Sequence, residues 1–430
     1  MTSTRAGDTY DGSDEAALPP LRIDNERLCR RLDELAAVGA VEGTSGCTRL
    51  ALTPEDGEAR DLVVTWMRDL GMEVAVDGVG NVVAMLAGTE PLAPVMTGSH
   101  IDTVRSGGRY DGNLGVLAGL EVVETLLDAG VRPRRPVAVA FFTDEEGSRF
   151  APDMLGSLVY VGGLPLEEAL GTVGIDGAVL GDELDAIGYR GWAPCPGPAP
   201  HAFVELHIEQ GPVLEAEGID IGVVTGVQGI SWTEYTVTGQ ANHAGTTPMR
   251  LRHDAGYVAN RIAVHVRDVT RQIGSSQVGT VGTMALRPDL VNVVASSAVF
   301  TVDLRNTDEH ALRRAEEEVT RFAAFVAESE GCRFETRTLA RFEPVDFDNL
   351  VIGTVERAAA GRGLSHMRMP SGAGHDAQML ARVCPTAMIF VPSEGGISHN
   401  PAEHTTPDQI EAGANVLLDV LVELAGVTGP

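Results

Sequence analysis

The 430-residue sequence contains no lysine; its 32 basic residues are all arginine, against 61 Asp and Glu, for a net charge of −29. So negative a chain repels phosphate backbones, which argues against nucleic acid as a partner. A GC-rich genome would favour arginine over lysine but does not account for the surplus of acid. An acidic, lysine-free surface fits a salt-rich cytoplasm, where self-repulsion is screened, so a halophilic host is expected. Long apolar runs are also missing. None approaches the ~18 residues of a membrane span, and no membrane partner is expected. The five cysteines (Cys29, Cys47, Cys195, Cys332, Cys384) are scattered and form no Cys-x-x-Cys. That argues against a disulfide framework or a thiolate metal site, and Cys47, with no evident base beside it, reads as inert. Residues 1–20 lack the basic start and apolar stretch of a signal peptide, and Asp8, Asp11, Asp14 and Glu15 lead into Pro19-Pro20. They read as a disordered acidic tail on a cytoplasmic protein.

An apolar fraction of 43% over this length supports two cores. Leu21–Leu35, Pro54–Leu70 and Leu114–Leu127 carry helical periodicity, and the second has proline near its start and Gly71 at its end. Pro136–Thr143 is a continuous apolar run of strand length, the kind buried on both faces of a mixed or parallel sheet. Short strands are also expected at Ala93–Thr97 and Ala202–Ile208. After Gly211 the pattern changes to strand, helix, two strands, helix, strand, with helices over Asp254–Arg271 and Ala311–Ala327 and a last strand near Arg333–Leu339. That order suggests a split βαβ module. The expected architecture is α/β with two domains. A mixed-sheet domain spans 21–212 and 332–430, and a smaller α+β, ferredoxin-like domain is inserted at 213–331.

Chemistry concentrates at strand ends and turns. In Gly98-Ser-His-Ile-Asp-Thr-Val-Arg-Ser-Gly-Gly-Arg-Tyr-Asp-Gly112, His100 and Asp102 share one face of an extended segment. A carboxylate so placed can hold an imidazole in one tautomer while the other nitrogen binds a metal. Asp111, beyond the glycine turn, could serve the same metal or bridge two. Glu145-Glu146 follow the apolar strand, His207 ends another strand, and His399 sits in Gly395-Gly-Ile-Ser-His-Asn400. One glutamate can bind metal while its neighbour serves as general base. Nitrogen and oxygen ligands without thiolate suit Zn, Mn, Co or Ni alike. Arg305 follows Phe300, Val302 and Leu304, which share a face, so the guanidinium lies on the opposite, polar face, free to pair with a carboxylate.

Taken together, several stretches resemble the hydantoinase/carbamoylase branch of the M20 metallopeptidase family, which includes N-carbamoyl-L-amino-acid hydrolases, allantoate amidohydrolases and β-ureidopropionases. They are Gly98–Thr103, Tyr110–Gly112, Phe142–Phe150, Glu205–Pro212, Asn242–Met249, Ser371–Ala377 and Ser398–Asn400. They run in family order over about residues 25–425 and are specific as a set. The resemblance implies two divalent ions per subunit, one held by His100, Asp111 and His207, the other by Asp111, Glu146 and His399. It makes Glu145 the general base and Asp102 the partner of His100. It also implies that His243 polarises the scissile carbonyl from a partner subunit, that Gln210, Asn292, Arg305 and the Gly372-Ala373 backbone hold the substrate, and that the inserted domain is a lid and homodimer interface. The implied reaction is hydrolysis of the carbamoyl group of an N-carbamoyl-L-amino acid to amino acid, CO2 and ammonia.

Allantoate amidohydrolase or β-ureidopropionase activity at the same site is the nearest alternative. A dipeptidase or aminoacylase is disfavoured by His207, where those relatives usually carry a carboxylate, and a catalytically dead binding module is disfavoured by the intact Glu145 and ligand set. From the residues alone, Arg305 could also be a surface ion pair, and Gln210 and Asn292 could merely satisfy backbone groups. His375 and Asp376 read as structural, through a loop hydrogen bond and a helix cap.

Overall fold

The apolar run ending at Phe142 offers neither face to water. In the computed structural model, which describes residues 21–274 and 276–428, its strand Val137–Phe142 is buried at every position. Val95–His100, Ala202–Ile208 and Thr386–Val391 are equally buried. These four strands lie side by side and parallel, in the order Val137–Phe142, Val95–His100, Ala202–Ile208, Thr386–Val391. Strands covered on both faces read as apolar runs for this reason. Val82–Leu86 and Glu73–Val76 extend one side antiparallel, and Ile221–Val227, Val345–Asp346 and His366–Ser371 extend the other. The result is a nine-stranded mixed sheet.

The helix Asn113–Asp128 packs on the central strands and Pro407–Ala425 packs against it. Buried on nearly every side, Asn113–Asp128 carries the wholly buried Glu121, whose charge Arg27 meets at 2.7 Å. Pro54–Asp69 begins as expected, with the Thr53 side chain capping its first turn and Pro54 inside it. No helix among the described residues is long and apolar enough to cross a membrane.

A second core is separate from the first. Val258, Ile262 and Val266 of the helix Ala255–Ile273 pack with Leu312, Ala315 and Val319 of Glu309–Ser329. Both helices cover an antiparallel sheet in the order Arg333–Phe342, Gly229–Thr238, Ser297–Asn306, Val278–Arg287. That order is the split βαβ arrangement.

The sheets set the boundary differently from the expected 213–331. Ile221–Val227 belongs to the large sheet, where Val224 pairs with Met388. Gly229–Thr238 starts the small sheet after a single residue, Gln228, and Arg333–Phe342 completes it against Gly229–Thr238. The inserted unit is therefore 229–342. An apolar strand pattern shows that a segment is buried, but not which sheet it joins. The expected disordered tail at 1–20 lies outside the described residues.

Candidate metal centre

The carboxyl ends of the four parallel strands carry nearly all the expected ligands, at the place where open α/β sheets collect their ligands. His100 ends its strand and His207 is next to last in its own. Glu145 and Glu146 follow Val137–Phe142 through Asp144, whose φ of +57° turns the chain sharply, so two adjacent glutamates need not point apart. Asp111 returns beside His100 through the turn at Ser106, and Gly112 closes the approach. At a φ of +66°, a Cβ on Gly112 would lie 2.5 Å from the His100 ring, so only glycine fits. His399 arrives in the loop after Thr386–Val391, itself at a φ of +52°.

The side chains converge on Asp111. Its Oδ1 lies 3.1 Å from His207 Nε2 and 3.5 Å from His100 Nε2. Its Oδ2 lies 3.6 Å from His399 Nε2, which is 3.2 Å from Glu146 Oε2. The two oxygens thus face two groups, His100/Asp111/His207 and Asp111/Glu146/His399. Ligand atoms held about 2.1 Å from one ion at a tetrahedral angle stand about 3.4 Å apart, the spacing seen here. The outer nitrogens fit as well. His100 Nδ1 lies 3.0 Å from the carbonyl of Asp102 and His207 Nδ1 2.9 Å from that of Ile208. Each carbonyl holds the proton on Nδ1 and leaves the Nε2 lone pair facing Asp111.

The electrostatics also suit cations. Burial acts to lower the His100 pKa, yet Glu145, Asp111, Asp102 and Glu146 hold it well above its ordinary value. His207 is raised in the same way, burial notwithstanding, by Asp111 and Glu205. The hydrogen bond to Glu146 lifts His399 to about 9. The carboxylates thus favour positive charge at all three imidazoles, a field that would suit a divalent ion. Burial, with Asp376, Glu146 and Asp102 nearby, pushes the Glu145 carboxyl well above the carboxylate range, although His100 opposes it. Glu145 Oε2 lies 3.5 Å from His100 Nε2, at the inner edge of the cluster.

Asp102 acts differently from the expected carboxylate–imidazole contact. Its carboxylate stands 3.8 Å from His100 Nδ1, and its backbone carbonyl holds the ring instead. The carboxylate accepts the backbone N–H groups of Glu145 and Glu146, both at 3.3 Å, and so fixes the turn that presents them. His375 bonds the Ser371 hydroxyl at 2.9 Å, and the helix Asp376–Leu380 has no side-chain cap. Glu403 was not anticipated from sequence. It is 2% exposed, its Oε1 accepts the N–H groups of Tyr110 and Asp111 at 3.0 and 3.2 Å, and its Oε2 lies 2.9 Å from Ser398 Oγ. Ser398 Oγ in turn lies 2.8 Å from Asp111 Oδ2. Glu403 thus anchors the backbone of Asp111 directly and its side chain through Ser398. The only hint in sequence was its nearness to His399.

A cleft of ≈ 770 Å³ adjoins the cluster, and Gln210, Ser398, His399, Arg305, Gly372 and Ala373 are among the residues that line it. Gln210 Nε2 reaches Asp111 Oδ2 at 2.8 Å. Arg305 pairs with Asp303 at 3.0 Å and gives an N–H to the Gly372 carbonyl at 2.6 Å, linking the small domain to the large one. His243 and Asn292 are not brought to the cluster. They stand together on the inserted domain, where Ala244 N–H bonds the Asn292 carbonyl at 2.9 Å and His243 bridges to Val293. Both side chains are exposed.

The sequence pattern of peptidase family M20/M25/M40 matches residues 96–423. The chain belongs to that family. It is 42% identical to an N-carbamoyl-L-amino-acid amidohydrolase of Rhizobium meliloti over 94% of this chain and 98% of the relative. It is 36% identical to an allantoate amidohydrolase of Bacillus subtilis, over 92% and 96% of the two chains. Among solved structures, an amidase of the hydantoinase/carbamoylase family from Burkholderia multivorans superposes with a TM-score of 0.92 at 45% identity, covering 95% and 99%. Within the M20 family the chain falls in the hydantoinase/carbamoylase branch, and it is an amidohydrolase.

Proposed function

We propose that the protein hydrolyses the carbamoyl group of N-carbamoyl-L-amino acids, yielding the amino acid, CO2 and ammonia. The observation that supports this reading is a cleft lined by both His399 of the candidate metal cluster and Arg305, suited to a substrate with a reacting ureido group and a carboxylate. Two divalent ions (Zn, Mn, Co or Ni), one at His100, Asp111 and His207 and one at Asp111, Glu146 and His399, would polarise the scissile carbonyl and acidify the attacking water. Glu145, kept basic by its buried and acidic surroundings, takes the proton from that water and returns it to the leaving nitrogen. Asp102 keeps Glu145 aimed through its backbone amide. Arg305 and the Gly372-Ala373 backbone hold the carboxylate end, and Gln210 the ureido end.

His243 Nδ1 accepts the N–H groups of Gly245 and Thr246 at 3.0 and 3.3 Å, which places its own proton on Nε2, the tautomer that donates to a carbonyl oxygen. Exposed on the inserted domain beside Asn292, His243 completes the site of a second copy. The active form is therefore a homodimer joined through that domain, which also serves as a lid. The likeness to an allantoate amidohydrolase favours allantoate as the second reading. The test is ammonia release by metal-loaded protein, at high salt, from N-carbamoyl-L-methionine and from allantoate, with metal content measured alongside. Turnover of the first substrate with two ions per chain is expected; turnover of allantoate alone would overturn the reading.

A further inference from the structure

Arg60 and Arg49 are 0% and 1% exposed. Arg60 pairs with Asp56 at 2.7 Å, the usual answer to a buried charge. Arg49 forms no ion pair among the described residues, and its guanidinium bonds only neutral groups. Its Nη1 donates to the Leu35 and Val38 carbonyls at 3.1 and 2.9 Å, at the end of the helix Asn25–Ala37, where the dipole favours a cation. Its Nε reaches the Ile101 carbonyl at 2.7 Å, and its Nη2 reaches Asn113 Oδ1 at 2.8 Å. Ile101 directly follows His100, and Asn113 stands two residues beyond Asp111. The guanidinium thus joins the two ends of the loop that brings Asp111 back to His100. The Arg49 backbone adds to the hold, giving its N–H to Thr103 Oγ1 at 2.8 Å and accepting the Thr103 N–H at 2.9 Å. Asn113, also 1% exposed, donates its own N–H to the Asp111 carbonyl at 2.7 Å and Nδ2 to the Arg109 carbonyl at 3.2 Å.

We infer that Arg49 is a positioning residue of the metal centre, clamping both ends of the 101–113 loop so that His100 and Asp111 meet at ion-binding distance. The inference rests on the two-ion reading above and adds a residue outside the ligand set. His100 Nε2 and Asp111 Oδ1 stand 3.5 Å apart, a spacing that depends on how the loop closes. Folding alone does not call for a charge at Arg49. Neutral donors would satisfy neutral carbonyls without the cost of burying an ion. What the guanidinium adds is a rigid fork, which lets one group hold two points at a fixed separation. A lysine would keep the charge and lose the fork.

The test is a zinc titration of the full-length, metal-free protein against a chromophoric chelator, well below the melting temperature, with thermal melts alongside. Asn113→Ala removes the acceptor at one end of the clamp, and Arg49→Lys removes the fork. Each should weaken zinc binding about tenfold or more, the loss expected for an outer partner of a metal ligand. The ion at His100, Asp111 and His207 should suffer most, since it takes a ligand from each end of the loop. Asn113→Asp keeps an acceptor for Arg49 and puts an acid at the start of the helix Asn113–Asp128, where the dipole favours it, so its affinity should stay within about threefold of wild type. Earlier melting with wild-type zinc affinity in Asn113→Ala would show that the clamp serves the fold alone and overturn the inference. Equal weakening in Asn113→Asp and Asn113→Ala would overturn it too. If Arg49→Lys does not fold, the two Asn113 variants decide. Wild-type protein that binds a single ion would overturn the two-ion reading, with the clamp then judged on that ion; protein that binds none would overturn both.

Discussion

Asp111→Ala tests the centre at the residue on which it converges. The carboxylate gives Oδ1 to the His100/His207 side and Oδ2 to the His399/Glu146 side, so one substitution removes a ligand from each group of three. His207→Ala removes a ligand from one group only. Losing even an outer partner of a metal ligand weakens binding about 10–100-fold, and a direct ligand should cost at least that. Applied at both positions, the loss should leave Asp111→Ala almost free of metal after gel filtration, while His207→Ala keeps close to one ion per chain. The fold should survive. Asp111→Ala strips Ser398 Oγ and Gln210 Nε2 of a shared acceptor, a cost of about 1–3 kcal/mol each if no water replaces it, within what a two-core chain can absorb. Metal content by inductively coupled plasma mass spectrometry, with thermal melts of the metal-free proteins as the control for folding, reads the result. If Asp111→Ala retains one ion tightly, Asp111 is a ligand of a single metal and the bridging arrangement is wrong.

Glu403→Ala should deprive the Tyr110 and Asp111 N–H groups of their acceptor and unseat Ser398, at roughly 3–9 kcal/mol if the three losses add. Glu403→Gln can keep Oε1 on both amides and donate from Nε2 to Ser398, so its melting temperature and metal content should stay near wild type; equal damage in both variants would show that the charge, not the acceptor geometry, matters. Mixing inactive His243→Ala chains with inactive Glu145→Ala chains should restore some ammonia release, because one site in the mixed dimer then has both residues; no recovery would put His243 outside the partner's site. Raising salt from about 0.1 M to about 1 M shortens the screening length from ~10 to ~3 Å. At a net charge of −29 this should raise the melting temperature, and a fall on adding salt would contradict adaptation to a saline host.

What could be read in the sequence, and what could not, follows from the range of each interaction. The fully apolar strands and the two helical stripes of the inserted domain were legible because burial imposes its period on neighbouring residues. The cluster of histidines and acids at strand ends was legible for a related reason: a histidine or a glutamate pair directly after an apolar run breaks a pattern that packing would otherwise continue. Glu403 breaks no pattern. It lies in Pro401-Ala402-Glu403-His404, and what gives it meaning is the pair of backbone amides nearly three hundred residues away at Tyr110 and Asp111. Asp102 shows a subtler limit. The two-residue alternation put it on the same face as His100, but could not say that its carbonyl, rather than its carboxylate, would hold the ring. Freed from that contact, the carboxylate organises Glu145 and Glu146 beyond the end of the neighbouring strand. The centre is thus held by two acids that need touch no ion, Asp102 under the glutamates and Glu403 under Asp111. Replacing either should disturb metal binding while every direct ligand is still present.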